Sequence, residues 1–352
     1  MVNEAEAGGP GVPARDRVAA RRAQGKPVIG LALGSGAARG WAHLGVMQAL
    51  GELGIETQVH AGCSVGALVT AAMALGIEDE FREWALHIGS IGSLRSFALG
   101  LGAGGMVNPA PAFERFRAHD RDVEALDVRW GAVATDLATG REVWLTAGSV
   151  LDACRASSAI PILLHAALHN VQGEGRWLID GAASNPVPVS LARALGADRV
   201  IAVDLNLSSR MIGRFVRPTT RAVVAVESTP VMGERVLPRA VTDFIRGTRD
   251  SVSHQIAMAK ARSDASPHFF ETVIATLDIM QSQLSEARAQ VDVADIRIAP
   301  DMADCPPGAF DRYDEYREKG YEAAMARKEE LMRLTDPYEA LPAPSLALGG
   351  RR

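Results

Sequence analysis

Cysteine is scarce in this chain. Its 352 residues hold three, Cys63, Cys154 and Cys305, too few and too scattered for a disulfide framework or a zinc site. A reducing compartment, the cytoplasm, is therefore expected. No run of eighteen apolar residues is present, so no membrane-spanning helix is expected. The N-terminal residues lack the apolar stretch of a secretory leader, so none is expected. The formal net charge is −5, which lacks the basic excess of a nucleic-acid-binding chain. No acidic loop has calcium-ligand spacing and no other metal-ligand spacing occurs, so neither metal nor cofactor is expected.

What is present is ordinary globular material, 47% apolar and 22% charged, enough for a sizeable core. Residues 1–26 have five Lys/Arg against three acids and no apolar period, and read as a disordered arm. From 27 to 207 apolar strands alternate with helices, which predicts an α/β domain with a mainly parallel sheet and helices on both faces. Strands are predicted at Pro27–Leu33, Val128–Thr135, Glu142–Thr146, Arg176–Asp180 and Arg199–Leu205, with a short one leading into the turn at 62–66. Thr139-Gly140 makes a hairpin turn. Residues 89–105, glycine-rich with Leu94, Phe97, Leu99 and Leu101, read as an apolar loop, either a lid or a loop folded on its own core. A helix is expected over Asn108–Ala118. Residues 208–250 hold eight arginines against four acids and break the pattern. Residues 208–334 are expected to form a helical extension completing the domain. In it, helices are predicted at Ser251–Ala261, at Phe270–Gln290 with Val273, Leu277, Met280 and Leu284 on one face, and at Tyr313–Leu334, charged and exposed. Ile296–Ala299 is a last strand, and 335–352 a flexible tail.

Two turns carry chemistry. Gly62-Cys63-Ser64-Val65-Gly66 fits G-x-S-x-G between a short strand and a helix over 65–75. A serine there is held in a strained backbone conformation at the edge of a sheet, and the glycines avoid crowding the reversal. The positive end of the helix favours a developing oxyanion. Gly34-Ser35-Gly36-Ala37-Ala38-Arg39-Gly40 follows the first strand and precedes a helix through Trp41, Leu44, Met47, Leu50 and Leu53. That arrangement presents backbone N–H groups to an anion. It is a poor dinucleotide fingerprint, because its third glycine falls one place late for G-x-G-x-x-G. Asp180 ends a strand and is followed by Gly181, a position where α/β sheets put their ligands. His43 reads as a satisfied surface or core residue. His165 and His169 follow the Ile-Pro turn, and lining a pocket or a plain loop role are both open to them.

These motifs resemble those of the bacterial patatin-like phospholipases. The resemblance is carried by Leu33–Gly40, Gly62–Gly66 and Asp180-Gly181-Ala182, in order and spacing. Ala156-Ser-Ser-Ala-Ile-Pro161 and Asn185-Pro-Val187 are also similar. It covers about 27–207, with a looser echo in Ala294–Tyr321. Here Ser35 and Ala37 replace two glycines of the family's loop, and Asp-Gly-Ala replaces Asp-Gly-Gly. The resemblance implies a three-layer α/β sandwich and a Ser-Asp dyad without histidine, Ser64 attacking an ester carbonyl and Asp180 taking its proton. It implies an oxyanion hole from the N–H groups of Gly36, Ala37 and Ala38, with Arg39 holding that loop or a substrate phosphate. Gly34, Gly40, Gly62, Gly66 and Gly181 support the loops. Hydrolysis of phospholipid or lysophospholipid esters is the expected activity. Acyl transfer on the same dyad and a lipid-binding regulatory protein of low turnover are the alternatives. Peripheral contact with the inner face of a membrane through 89–105 and 208–250 is a further expectation.

Overall fold

The first strand, β1 (Ile29–Leu33), is buried along its whole length. Its side chains alternate between two cores, as strand geometry requires. Ile29, Leu31 and Leu33 enter one core, and Ala32 enters the other with Val28 before the strand. The structure, a computed structural model, describes residues 14–90, 113–161, 164–171, 173–206 and 269–336. Contacts divide the chain into two units, 1–210 with 278–352, and 211–277. Of the second only 269–277 is described, as the first turns of a helix. The sheet and the other described elements belong to the first unit.

After α1 (Ala14–Ala23) and β1 come α2 (Trp41–Glu52), β2 (Val59–Cys63), α3 (Val65–Leu75) and α4 (Glu78–Ser90). Next are β3 (Arg129–Asp136), β4 (Glu142–Leu145), α5 (Val150–Ser157), β5 (Ala167–Val171), β6 (Glu174–Asp180), α6 (Val189–Ala194) and β7 (Arg199–Val203). The chain ends with α7 (Phe269–Ala289), β8 (Ile296–Ile298), α8 (Tyr313–Met325) and α9 (Lys328–Leu334). Hydrogen-bonded neighbours run β5-β6-β3-β2-β1-β7-β8, with β4 also on β3. β8, β7, β1, β2 and β3 are mutually parallel, whereas β4 and β6 run against β3 and β5 against β6. The sheet is mainly parallel with helices on both faces, a three-layer α/β sandwich.

The registers on β3 position the serine turn against Asp180. Val133 pairs with Cys63 of β2 and Trp144 of β4, and Ala134 pairs with Asp180 of β6 and Val143 of β4. β4 occupies one side of β3 throughout this stretch. β2 and β6 therefore share the other side, running toward each other and meeting end to end. The sequence pattern predicts Asp180 at the end of a strand in a mainly parallel sheet and leaves that strand's direction open. It lies on an antiparallel strand, brought level with the end of β2 because β3 continues three residues, Ala134–Asp136, beyond that end.

Departures from the expected elements have identifiable causes. Part of the stretch expected as a disordered arm is helical: α1 buries Val18, and Arg22 reaches Asp198 at 2.8 Å. The predicted helix over Tyr313–Leu334 is two helices, and it is not simply exposed. α8 crosses α2 with the backbones in contact. A Cβ on Gly45 would stand 1.8 Å from the Arg317 carbonyl, and one on Gly320 would stand 1.9 Å from that of Ala42. Tyr313, Tyr316, Gly320 and Ala324 form the buried stripe. α7 turns the opposite way from its apolar period. Asp278, Ser282 and Ser285 are buried, while Ile279 and Met280 are each 62% exposed. Of the helix expected over Asn108–Ala118, the described part is helical at 113–114 and then passes into a 3₁₀ turn at Arg117–His119. Residues 91–112, 207–268, 1–13 and 337–352 lie outside the described residues, and with them most of the 89–105 loop, the arginine-rich stretch, the Ser251–Ala261 helix and most of the tail. No helix among the described residues is long and apolar enough to cross a membrane.

Candidate active site

Ser64 stands between β2 and α3 with φ 54° and ψ −123°, a region that costs a non-glycine residue roughly 1–3 kcal/mol. Neighbours enforce it. A Cβ on Gly62 would meet the Ala67 Cα at 2.3 Å, and one on Gly66 would meet the Leu33 carbonyl oxygen at 2.1 Å. The Ser64 N–H donates to Ser157 Oγ at 2.9 Å, tying the turn to the end of α5. The Ser64 hydroxyl donates to Asp180 Oδ2 at 2.6 Å. Gly181 lets β6 end this close, since a Cβ there would lie 2.2 Å from the Val133 carbonyl oxygen.

Asp180 is buried, and its other oxygen, Oδ1, accepts the Ala182 N–H at 2.8 Å. Burial raises its pKa to about 6, partly offset by the hydrogen bonds from Ser64 and Ala182. Cys63, next to Ser64, is a buried thiol whose pKa is pushed well up, by burial first and then by the charges of Asp180 and Glu142. It therefore stays protonated and does not compete as a nucleophile.

The glycine loop is held from behind, donor by donor. The Gly34 N–H goes to the Val203 carbonyl, that of Ser35 to Pro186, that of Ala38 to Pro307 and that of Arg39 to Gly36, all within 2.9–3.1 Å. The amides of Gly36 and Ala37 have no acceptor among the described residues. Ala37 adopts φ 49°. The family resemblance puts Ala38 among the anion-facing donors; its engagement with Pro307 removes it from that set. Gly40 closes the loop against the serine turn, where a Cβ would meet Val65 Cγ2 at 2.1 Å.

Arg39 departs from one of the two roles expected of it. It is 1% exposed and bidentate to Asp278 at 2.5 and 3.1 Å, and its Nε donates to the Cys305 carbonyl at 2.7 Å. It holds the loop and does not face a substrate phosphate. His43 is buried and neutral, its pKa lowered to about 4 by burial, and its Nε2 bonds the Gly34 carbonyl at 2.8 Å. His165 is exposed and His169 half-buried on β5; neither hydrogen-bonds Ser64 or Asp180. Sequence reasoning assigns no role to Ser157, although its motif is visible, and does not find Asp278, which has no local signal 239 residues from Arg39. Among the described residues no group of three His, Cys, Asp or Glu has the arrangement to hold a metal ion.

Residues 31–193 match the family model of the patatin-like phospholipases. An NTE family protein of Mycobacterium tuberculosis is 38% identical over 203 residues, 57% of this chain and 55% of the relative. A patatin-like phospholipase domain-containing protein of Caenorhabditis elegans is 32% identical over 189 residues, 51% of this chain and 14% of its own length. A lysophospholipase of Emericella nidulans is 31% identical over 193 residues, 53% of this chain and 12% of its own. This chain thus spans about half the length of the mycobacterial relative and much less of the other two. Among solved structures, VipD from Legionella pneumophila aligns at a TM-score of 0.41 and 14% identity, covering 88% of this chain and 67% of that one. Over residues 31–193, a little under half of its length, this chain is similar to the patatin-like phospholipases.

Proposed function

We propose that the chain hydrolyses carboxyl esters of phospholipids or lysophospholipids, with Ser64 as nucleophile and Asp180 as base. The observation that carries this reading is the 2.6 Å hydrogen bond from the Ser64 hydroxyl to a buried carboxylate whose pKa is raised to about 6. A base is most effective when its pKa lies near the working pH. Ser64 Oγ attacks the ester carbonyl carbon as its proton passes to Asp180 Oδ2. The carbonyl oxygen becomes an oxyanion facing the free amides of Gly36 and Ala37 and the positive end of α3. Collapse expels the alcohol, which takes the proton from Asp180 and leaves the acyl group on Ser64. Water then attacks the acyl-enzyme, giving its proton to Asp180, and the fatty acid leaves as Ser64 recovers a proton. Oδ1 stays occupied by the Ala182 N–H, so Oδ2 is the oxygen that exchanges the proton.

Beside α3 lies a small apolar cavity with neither Ser64 nor Asp180 in its lining. Leu68, Phe81, Trp84, Phe113, Phe116 and Leu151 line it, starting one turn along α3 from Ser64. The reading includes peripheral, salt-sensitive binding to anionic membrane through the arginine-rich 208–250, which sedimentation with vesicles at low and high salt tests. The decisive experiment is fatty-acid release from a phospholipid extract by the protein and by Ser64→Ala. Loss of release in the variant is expected. Equal release by both overturns the proposal.

A further inference from the structure

A helix that buries polar residues and exposes apolar ones runs against the usual driving force, so something local must compensate. On α7 the buried polar residues are Asp278, Ser282 and Ser285, on the same side as the buried Ala275, and two of them have a definite task. Ser285 donates to Asp204 at 2.6 Å, just beyond β7. Asp278 takes both terminal nitrogens of Arg39. Gln281, on the same face, lies 3.4 Å from the Ser35 hydroxyl. The inverted face of α7 is thus directed at the glycine loop, and Asp278 makes the strongest contact.

That loop contains a strained residue. Ala37, at φ 49°, costs of order 1 kcal/mol or more, and such a residue persists only when its surroundings over-determine it. Two residues on, the planar Arg39 fork is fixed at three points, two oxygens of Asp278 and the Cys305 carbonyl. The carboxylate also neutralises a guanidinium that is 1% exposed. If Asp278 let go, an unpaired buried charge would have to move toward water, carrying the 3₁₀ turn Ala37–Gly40 with it.

We propose that Asp278 is a positioning residue: by holding Arg39 it keeps Ala37 left-handed and the amides of Gly36 and Ala37 turned toward the developing oxyanion. This rests on the reading of the loop as the oxyanion site. The geometry assigns Asp278 no contact with substrate. Its effect falls on the transition state, where the oxyanion exists, and hardly on ground-state binding.

The test compares the protein with Ser64→Ala, Asp278→Asn and the double variant Arg39→Met/Asp278→Leu on a soluble short-chain nitrophenyl ester, recording kcat, KM and the thermal midpoint. Asn presents an N–H group to a guanidinium that has only donors, so it breaks the fork with little change of volume. The double variant removes the pair without leaving a charge, a change that buried pairs often tolerate. It also separates positioning from any direct effect of an unmasked Arg39 charge. Removing one oxyanion donor outright costs roughly a hundredfold or more, so misplacing the pair should lower kcat at least about tenfold in both variants, with KM within about twofold. A kcat within twofold of wild type in either folded variant overturns the inference, as does a loss confined to KM. Hydrolysis by wild type that Ser64→Ala fails to abolish overturns the functional reading instead, so the two failures are distinct.

Discussion

Cys63 and Asp180 end two strands that run head-on along the same side of β3, opposite the consecutive residues Val133 and Ala134. The residue after Cys63 is Ser64, so hydroxyl and carboxylate meet where two strand ends abut. Their relative position is set by backbone hydrogen bonds to a single strand, not by a flexible loop.

The raised pKa of Asp180 fixes a pH dependence. The base must be ionised to accept the Ser64 proton, so kcat/KM should climb through about pH 6 and level off above it. No histidine hydrogen-bonds either member of the dyad among the described residues. A pH–rate profile on a soluble ester checks this, and a limb that shifts in a His43→Gln variant would contradict it.

The same residue should weaken the fold. Its pKa of about 6 in the folded chain lies above the unfolded value near 4, so the folded state binds the extra proton between them. Stability contributed by this group is therefore present below the unfolded value and lost as pH rises through about 6. The loss approaches 3 kcal/mol as an order of magnitude. Asp180→Asn should raise the denaturation midpoint at pH 7.5 and have little effect at pH 4, while abolishing turnover. Chemical denaturation at the two pH values measures it, and equal shifts at both would refute the assignment.

Ser157 holds the strained turn through its acceptor oxygen. Ser157→Ala leaves the Ser64 amide without a partner, at a cost of about 1–3 kcal/mol, and should lower kcat about tenfold. Ser157→Thr, which keeps the oxygen, should recover most of both. Paired kinetics and thermal melts decide, and equal behaviour of the two variants would count against the hydrogen bond.

Two glycines of α2 should respond with opposite sign. Gly45→Ala forces a Cβ to 1.8 Å from the Arg317 carbonyl and should cost several kcal/mol or separate α8 from α2. Gly51→Ala meets nothing within 4 Å and should stabilise by roughly 0.5–1 kcal/mol. Thermal unfolding of both compares them directly.

What is legible in the sequence is what is decided locally. The turn at Ser64 and the loop at Gly34–Gly40 are short-range events, and a strand, glycines and an apolar helix specify each one where it stands. Strand direction is different: nothing within Glu174–Asp180 encodes that β6 runs against β3. The orientation of α7 escapes a reading by period because an apolar stripe marks the face that usually turns inward, whereas here Asp278 and Ser285 have partners worth burying. α8 escapes it because its inward stripe, Tyr313, Tyr316, Gly320 and Ala324, is small or amphipathic, and charged neighbours mask it.

The glycine loop is fastened at its far side partly to main-chain oxygens, those of Cys305 and Pro307. Every amino acid offers that oxygen, so these two anchor points require a path of the backbone and no particular side chain. The grip itself therefore fixes no side chain at Cys305 or Pro307, although Cys305 is also packed in the core. A search by motif will find the gripped part and pass over the grip, and a protein cut back to 31–193 would keep every recognisable motif while losing both anchors and Asp278.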